Sequence, residues 1–268
     1  MKKVSLISMM SIFMVLTAWS QRTVETNLKE FTSINASGVF DIVLTQGNSE
    51  SLSIEADEEL IPYVKYDVSA GVLKLWLKKN ELKNIKKPKA FVTLKELNSL
   101  NLSGACSVNG TGVFPSKKCK IDCGGATKVN IQVKTGELLI DLSGASNLQV
   151  GVQDAKNVSL DASGASKTNI SATSGIKKMN VDASGSSNVK LSGNAESLVI
   201  GVSGAGKVDA EQFGANEADI TATGASRVKV GVIKGLKADA SGASRIQYNK
   251  LSIIGDINTS GAAKVQAF

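Results

Sequence analysis

The chain contains no histidine in 268 residues, only three prolines, three cysteines and 4% aromatic residues. Without an imidazole, neither a Ser-His-Asp nor a Cys-His nucleophile system can be assembled. Zinc, copper and non-haem iron sites that rely on histidine are excluded on the same ground. Aromatics are scarce while 42% of residues are hydrophobic, so the core must be built from small and branched aliphatic side chains. No strong charge block stands out. The net charge of +7 and the pI near 9.2 are spread along the chain, a weak attraction for anionic partners and far from a nucleic-acid signature.

Only the first twenty residues form a long apolar run. Lys2 and Lys3 precede Val4–Thr17, and Ala18-Trp19-Ser20 offers small residues at the two positions a signal peptidase reads. This is the layout of a secretory signal peptide cleaved before Gln21. The run is also short for a membrane span, which needs ~20 residues. No cysteine follows it, which argues against a lipid anchor, and no second run follows, so no membrane span is expected in the mature chain. The expected address is periplasmic, outer-surface or extracellular.

What the chain does have is glycine, 25 of them, and nine recur in one motif. A small or hydroxyl residue, Gly, Ala and then usually Ser appear around Gly104, Gly125, Gly144, Gly164, Gly185, Gly204, Gly224, Gly242 and Gly261, 18 to 21 residues apart. A period near twenty is too short for helical-pair repeats and fits a β-solenoid with one coil per repeat. Two, four and six residues before the glycine stand apolar side chains such as Leu138, Ile140 and Leu142, or Val158, Leu160 and Ala162. Four and six residues after it stand Val129 and Ile131, Leu148 and Val150, or Val228 and Val230. Alternation with a period of two on both flanks predicts strands with one buried face, joined at a tight corner. The fold class is therefore all-β, a right-handed parallel β-helix with coils of about 20 residues; nine coils spaced ~4.8 Å apart stack to roughly 40 Å.

Aligned on the glycine, the polar residues also fall into columns. Asp122, Asp141, Asp161, Asp182 and Asp239 lie three residues before it, and Lys128, Lys167, Lys207, Arg227, Arg245 and Lys264 three after it, with Asn147 and Asn188 filling gaps. Two readings apply: solvated ladders that compensate each other across the corner, or a basic strip for an acidic glycan or other anionic surface. The hydroxyl columns, Ser143 to Ser260 before the glycine and Ser146, Ser166, Ser187, Ser226 and Ser244 after it, lack any base to activate a nucleophile. They are read as groups that satisfy corner backbone and bond along the stack. Cys119 and Cys123 occupy core columns and are four residues apart on one strand, about 13 Å, too far to bridge each other. Cys106 sits in the Ser column, where a bridge to Cys123 of the next coil is sterically open but out of register. No metal or other cofactor is called for.

Residues 21–97 lack the tight period and are read as a β-rich capping part, with repeats over 98–268. Phe40–Leu44 and Leu52–Glu55, separated by Gln46-Gly47-Asn48-Ser49-Glu50, carry a hairpin signal, as do Tyr66–Val68 and Val72–Leu77 around Ser69-Ala70-Gly71. Glu58–Val64 fits one short helical turn, Lys78–Lys89 a basic loop, and Ala36-Ser37-Gly38-Val39 a degenerate early corner. After Phe268 no cap is legible, so pairing of the last coils with another protomer is expected.

The mature chain resembles the bacterial family called putative auto-transporter adhesin, head GIN domain. The residues that carry this are Phe31-Thr32-Ser33-Ile34 to Gly38, Val39-Phe40-Asp41-Ile42-Val43-Leu44-Thr45-Gln46-Gly47, Gly71-Val72-Leu73-Lys74-Leu75, the Ser-Gly-Ala-Ser series and Ser241 to Tyr248. Asn249-Lys250 departs from the expected glycine. The resemblance implies an exported β-solenoid without established enzymatic activity. The expected function is a non-catalytic binding or adhesion module acting on a glycan or envelope protein through its regular faces. The rivals are a polysaccharide lyase, with a basic catalyst and acidic Ca²⁺ ligands, and a structural envelope scaffold.

Overall fold

The computed structural model describes residues 21–78 and 87–268. The expected signal peptide, residues 1–20, and most of the expected basic loop lie outside the described residues. Among those described, no helix is long and apolar enough to cross a membrane.

From Ser99 onward every strand pairs parallel with the strand one coil away. Each coil runs as the period predicts. One strand leads into the corner, for example Asn157–Ala162, and a second leads away from it, for example Lys167–Ala172. Strands that enter corners stack on strands that enter corners and form a first face; strands that leave form a second face. The motif glycines sit on the ridge between them.

The ridge requires glycine twice over. Gly144 has φ +69°, and a Cβ there would stand 2.6 Å from the carbonyl oxygen of Gly125 in the coil below. That carbonyl instead accepts the N–H of Ala145 at 2.8 Å, and the same bond recurs from Ala105 to Gly38 up to Ala262 to Gly242. Corner backbone is thus satisfied mainly by the neighbouring coil's backbone. The hydroxyls divide between two environments. Those just before the glycine face outward to varying degrees, while Ser146, Ser166, Ser187, Ser226 and Ser244 are buried. Ser146 Oγ donates to Ser143 O at 2.7 Å and Ser244 Oγ to Ala222 O at 3.0 Å, as expected, but the hydroxyls of Ser166, Ser187 and Ser226 are buried without a partner.

The inward columns form one continuous aliphatic core. Three strand pairings slip, between Asn130 and Gln132, between Lys190 and Ser192 and between Leu236 and Ala238. Just past the first two a phenylalanine, Phe114 or Phe213, is fully buried, and its ring fills the space beside the bulged strand.

The amino-terminal part is woven into the stack. Strands β1 (Gln21–Asn27), β2 (Ser33–Gly38), β3 (Asp41–Gln46), β4 (Ser51–Asp57), β5 (Val64–Ser69), β6 (Val72–Leu77) and β7 (Lys89–Leu94) precede the repeats. Gly38, at φ +99°, pairs in register with Gly104, so β2 and β3 are a true coil. The hairpin expected between β3 and β4 is not formed: β7 inserts between them, parallel to β3 and antiparallel to β4. Polar turn residues bound both strands either way; the pairing is decided by β7, a strand distant in sequence whose buried Val92 and Leu94 complete the core. The β5–β6 hairpin does form, through Ala70 and Gly71, both at positive φ. A 3₁₀ turn, Ile61–Tyr63, stands where the helical turn was expected. Antiparallel β1, β4 and β5 then cover the end of the parallel stack, as a solenoid end requires.

All three cysteines are free and buried. Burial pushes the thiols of Cys119 and Cys123 up to about 12, and raises that of Cys106 as well. Between the ordinary value of 9.0 and about 12 the unfolded chain releases protons that the folded chain keeps. Stability contributed by these protonated thiols is therefore complete below pH 9 and falls as pH rises through that window, by ~1.4 kcal/mol per pH unit for each thiol. Thermal melts at pH 8, 9.5 and 11 should show a falling midpoint, with a shallower fall in a Cys119→Val, Cys123→Ala variant, which uses the residues other coils place there. Parallel curves would remove the thiols as the cause.

Candidate functional site

The strand leading away from each corner points alternate side chains out, and the first of these is the basic position. Because the pairing is in register, Lys128, Asn147, Lys167, Asn188, Lys207, Arg227, Arg245 and Lys264 are consecutive Cα partners from coil to coil. The six cations picked from the sequence thus form one line along the edge of the second face, and all six are exposed.

The acidic column also forms, with Asp122, Asp141, Asp161 and Asp182 successive partners on the first face. The two columns do not compensate each other across the corner. Asp122 pairs with Lys120 of its own strand at 3.5 Å, and Asp239 accepts from Asn258 Nδ2 of the next coil at 2.8 Å. Among the described residues no carboxylate forms an ion pair with any of the six cations. The reason is geometric: three residues before and three after a tight corner lie on different faces, and each finds its neighbours within its own sheet.

Beside the basic line runs a feature that sequence reasoning missed. The next outward positions on the second face are Asn130, Gln149, Asn169 and Lys190, followed by Gln132, Gly151, Ser171 and Ser192, again in register. They line a shallow groove of about 470 Å³. Gly151 supplies no side chain in the middle of its floor, and Gln132 lies against the space so left, 3.2 Å from where a Cβ would stand. Apart from Lys190 and Gly151, the outward floor residues are carboxamides and hydroxyls, each able to donate and accept. The signal for it was present: five and seven residues after the glycines from Gly125 to Gly185 stand mostly polar uncharged residues, Asn130, Gln132, Gln149, Asn169, Ser171 and Ser192, in the same register that exposed the charges.

Toward the carboxyl terminus the floor changes. Asp209, Glu211 and Lys229 take over, and Lys229 pairs with Glu211 at 2.7 Å. Among the described residues no group of three or more Cys, Asp or Glu side chains gathers as a metal site would require.

At the far end of the stack, the strands Ile254–Thr259 and Lys264–Ala267 each pair on one side only among the described residues. Ile254 and Ile257 continue the inward columns through Leu236 and Ala238, yet stand exposed beside Leu251 and Ile253.

The family described as Putative auto-transporter adhesin, head GIN domain matches residues 30–174 and 151–251 of this chain. Among solved structures, a putative adhesin from Parabacteroides merdae is similar at 20% identity and TM-score 0.72, covering 92% of this chain and 96% of its own. A putative adhesin from Parabacteroides distasonis is similar at 18% identity and TM-score 0.70, covering 94% and 98%. A putative lipid binding protein from the same species is similar at 20% identity and TM-score 0.65, covering 92% and 96%. At these identities the likeness is one of fold. No curated protein matches the chain.

Proposed function

The chain belongs to the putative auto-transporter adhesin, head GIN domain family, and from that premise we propose that it is an exported, non-catalytic adhesion-type module that holds an extended anionic glycan along its second face. The observation that carries this reading is the line of six exposed cations in register, without a carboxylate partner among the described residues. Like charges one coil apart repel by about 1 kcal/mol each at a solvated surface. A line of aligned, exposed cations is suited to meet a negative line from outside. A glycan suits the line because the adjoining groove is polar and shallow and its donors and acceptors face outward.

The lyase alternative needs a local break in the repeat with converging carboxylates, whereas among the described residues no three acids gather at one point. The scaffold alternative gives no role to an uncompensated charge line. A panel of acidic glycans on a retention column, run beside a uronate double-bond assay, separates the three. Salt-sensitive retention without product is expected; product formation would support the lyase, and neither result the scaffold.

The reading extends to the carboxyl-terminal end of the stack, where a second copy of the chain is the proposed occupant. A two-fold axis would set the last strands of two copies antiparallel, so that each edge meets the other's free N–H and C=O groups and the row of Ile254 and Ile257 is covered on both. Such an end-to-end dimer doubles the length of face available to a polymer. Light scattering at rising concentration should show dimer formation, lost in an Ile257→Lys variant; a strictly monomeric wild type would refute the pairing.

A further inference from the structure

The spacing of the basic line says which anionic glycan fits. Over the amino-terminal half of the line cations alternate with carboxamides, Lys128, Asn147, Lys167, Asn188, Lys207, so that neighbouring cations are two coils or ~9.6 Å apart. Over the carboxyl-terminal half, Arg227, Arg245 and Lys264 follow in every coil. The groove of about 470 Å³ lies beside the alternating half only, lined by Asn130, Gln132, Gln149, Asn169 and Ser171. The one cation in its floor, Lys190, has Asp209 as its register partner in the next coil, though the two form no ion pair.

A polymer running along the solenoid axis in this groove meets neutral donors and acceptors at every coil, and a cation on its rim at every second coil. Two coils span the length of one extended β-linked disaccharide. We infer that the groove takes a glycan of alternating anionic and neutral sugars, each acidic group facing Lys128, Lys167 or Lys207 and each neutral sugar facing Asn147 or Asn188. The inference rests on the proposed binding of an anionic glycan and narrows it to a charge period. A polyuronate charged at every sugar would leave every second carboxylate opposite a carboxamide. Its higher charge density would favour it in any purely non-specific attraction, which makes the expected preference a demanding one.

The test compares hyaluronan oligosaccharides, which alternate glucuronate with N-acetylglucosamine, with oligomannuronate of the same number of sugars, by isothermal titration at low salt. The wild-type chain should bind hyaluronan at least tenfold tighter. An Asn147→Lys, Asn188→Lys variant, which places a cation in every coil, should gain affinity for oligomannuronate by about fivefold per added charge and reverse the order. Equal or tighter binding of oligomannuronate by the wild type would overturn the inference and leave the broader function standing. Failure of both polymers to bind would overturn both.

Discussion

A Gly144→Ala chain is expected to lose more than ~3 kcal/mol of stability, seen as a lower urea midpoint by circular dichroism. Two costs combine. The residue sits at φ +69°, where a Cβ costs roughly 1–2 kcal/mol. The added carbon also falls 2.6 Å from Gly125 O, a backbone atom that cannot step aside without breaking the Ala145 N–H bond of 2.8 Å beneath it. Because a solenoid's stability is shared between neighbouring coils, a wedge in mid-stack weakens both interfaces of its coil. Gly261→Ala provides the graded comparison. Its Cβ would stand 3.0 Å from Gly242 O, in the last coil, which has one interface to lose. It should cost clearly less. Ala145→Ser, at an exposed position where another coil carries Ser186, should be nearly silent. Equal losses at Gly144 and Gly261 would mean that the corner's conformation matters and its stacking does not.

The second large effect is on binding. Lys167→Gln, Lys207→Gln and Arg227→Gln together should weaken retention of an acidic glycan by about a hundredfold at low salt, since each exposed cation contributes on the order of 1 kcal/mol when it meets an anion directly. The loss should shrink as salt is added and the charges are screened. Folding should be untouched within ~0.5 kcal/mol, because all three side chains are exposed and none forms an ion pair. The control removes three charges from the first face, Lys177→Gln, Lys178→Gln and Lys237→Gln, all exposed. If net charge alone governs binding, the two triple variants will behave alike. If the line governs it, the control will change affinity by less than about threefold.

The repeats were legible because the physics that builds them is local and periodic. Inward alternation around Leu138, Ile140 and Leu142 is a property of a few residues, and the spacing of the glycines fixes which coil lies on which. Once register follows from the period, columns in the sequence become lines on the surface, and Lys128 to Lys264 fall on one line by their spacing alone. The amino-terminal weave was not legible in this way. Whether β4 pairs with β3 or with β7 depends on a strand more than thirty residues further on, and no period links them. The partners of the charges were also hidden. Sequence distance across the corner made Asp and Lys columns look like neighbours, while the fold turns them onto separate faces. The groove beside the basic line stayed unread for a different reason: Asn130, Gln149 and Asn169 are individually ordinary surface residues, and only the missing side chain at Gly151 and the shared register make them a floor.

The most direct test of the account is lysine labelling with a small acylating reagent, read by mass spectrometry with and without a saturating acidic glycan. The line and its groove predict that Lys128, Lys167, Lys190, Lys207 and Lys264 lose reactivity when the glycan is present, while Lys177, Lys178 and Lys237 on the first face react as before. Protection spread evenly over both faces, or confined to the first, would contradict it.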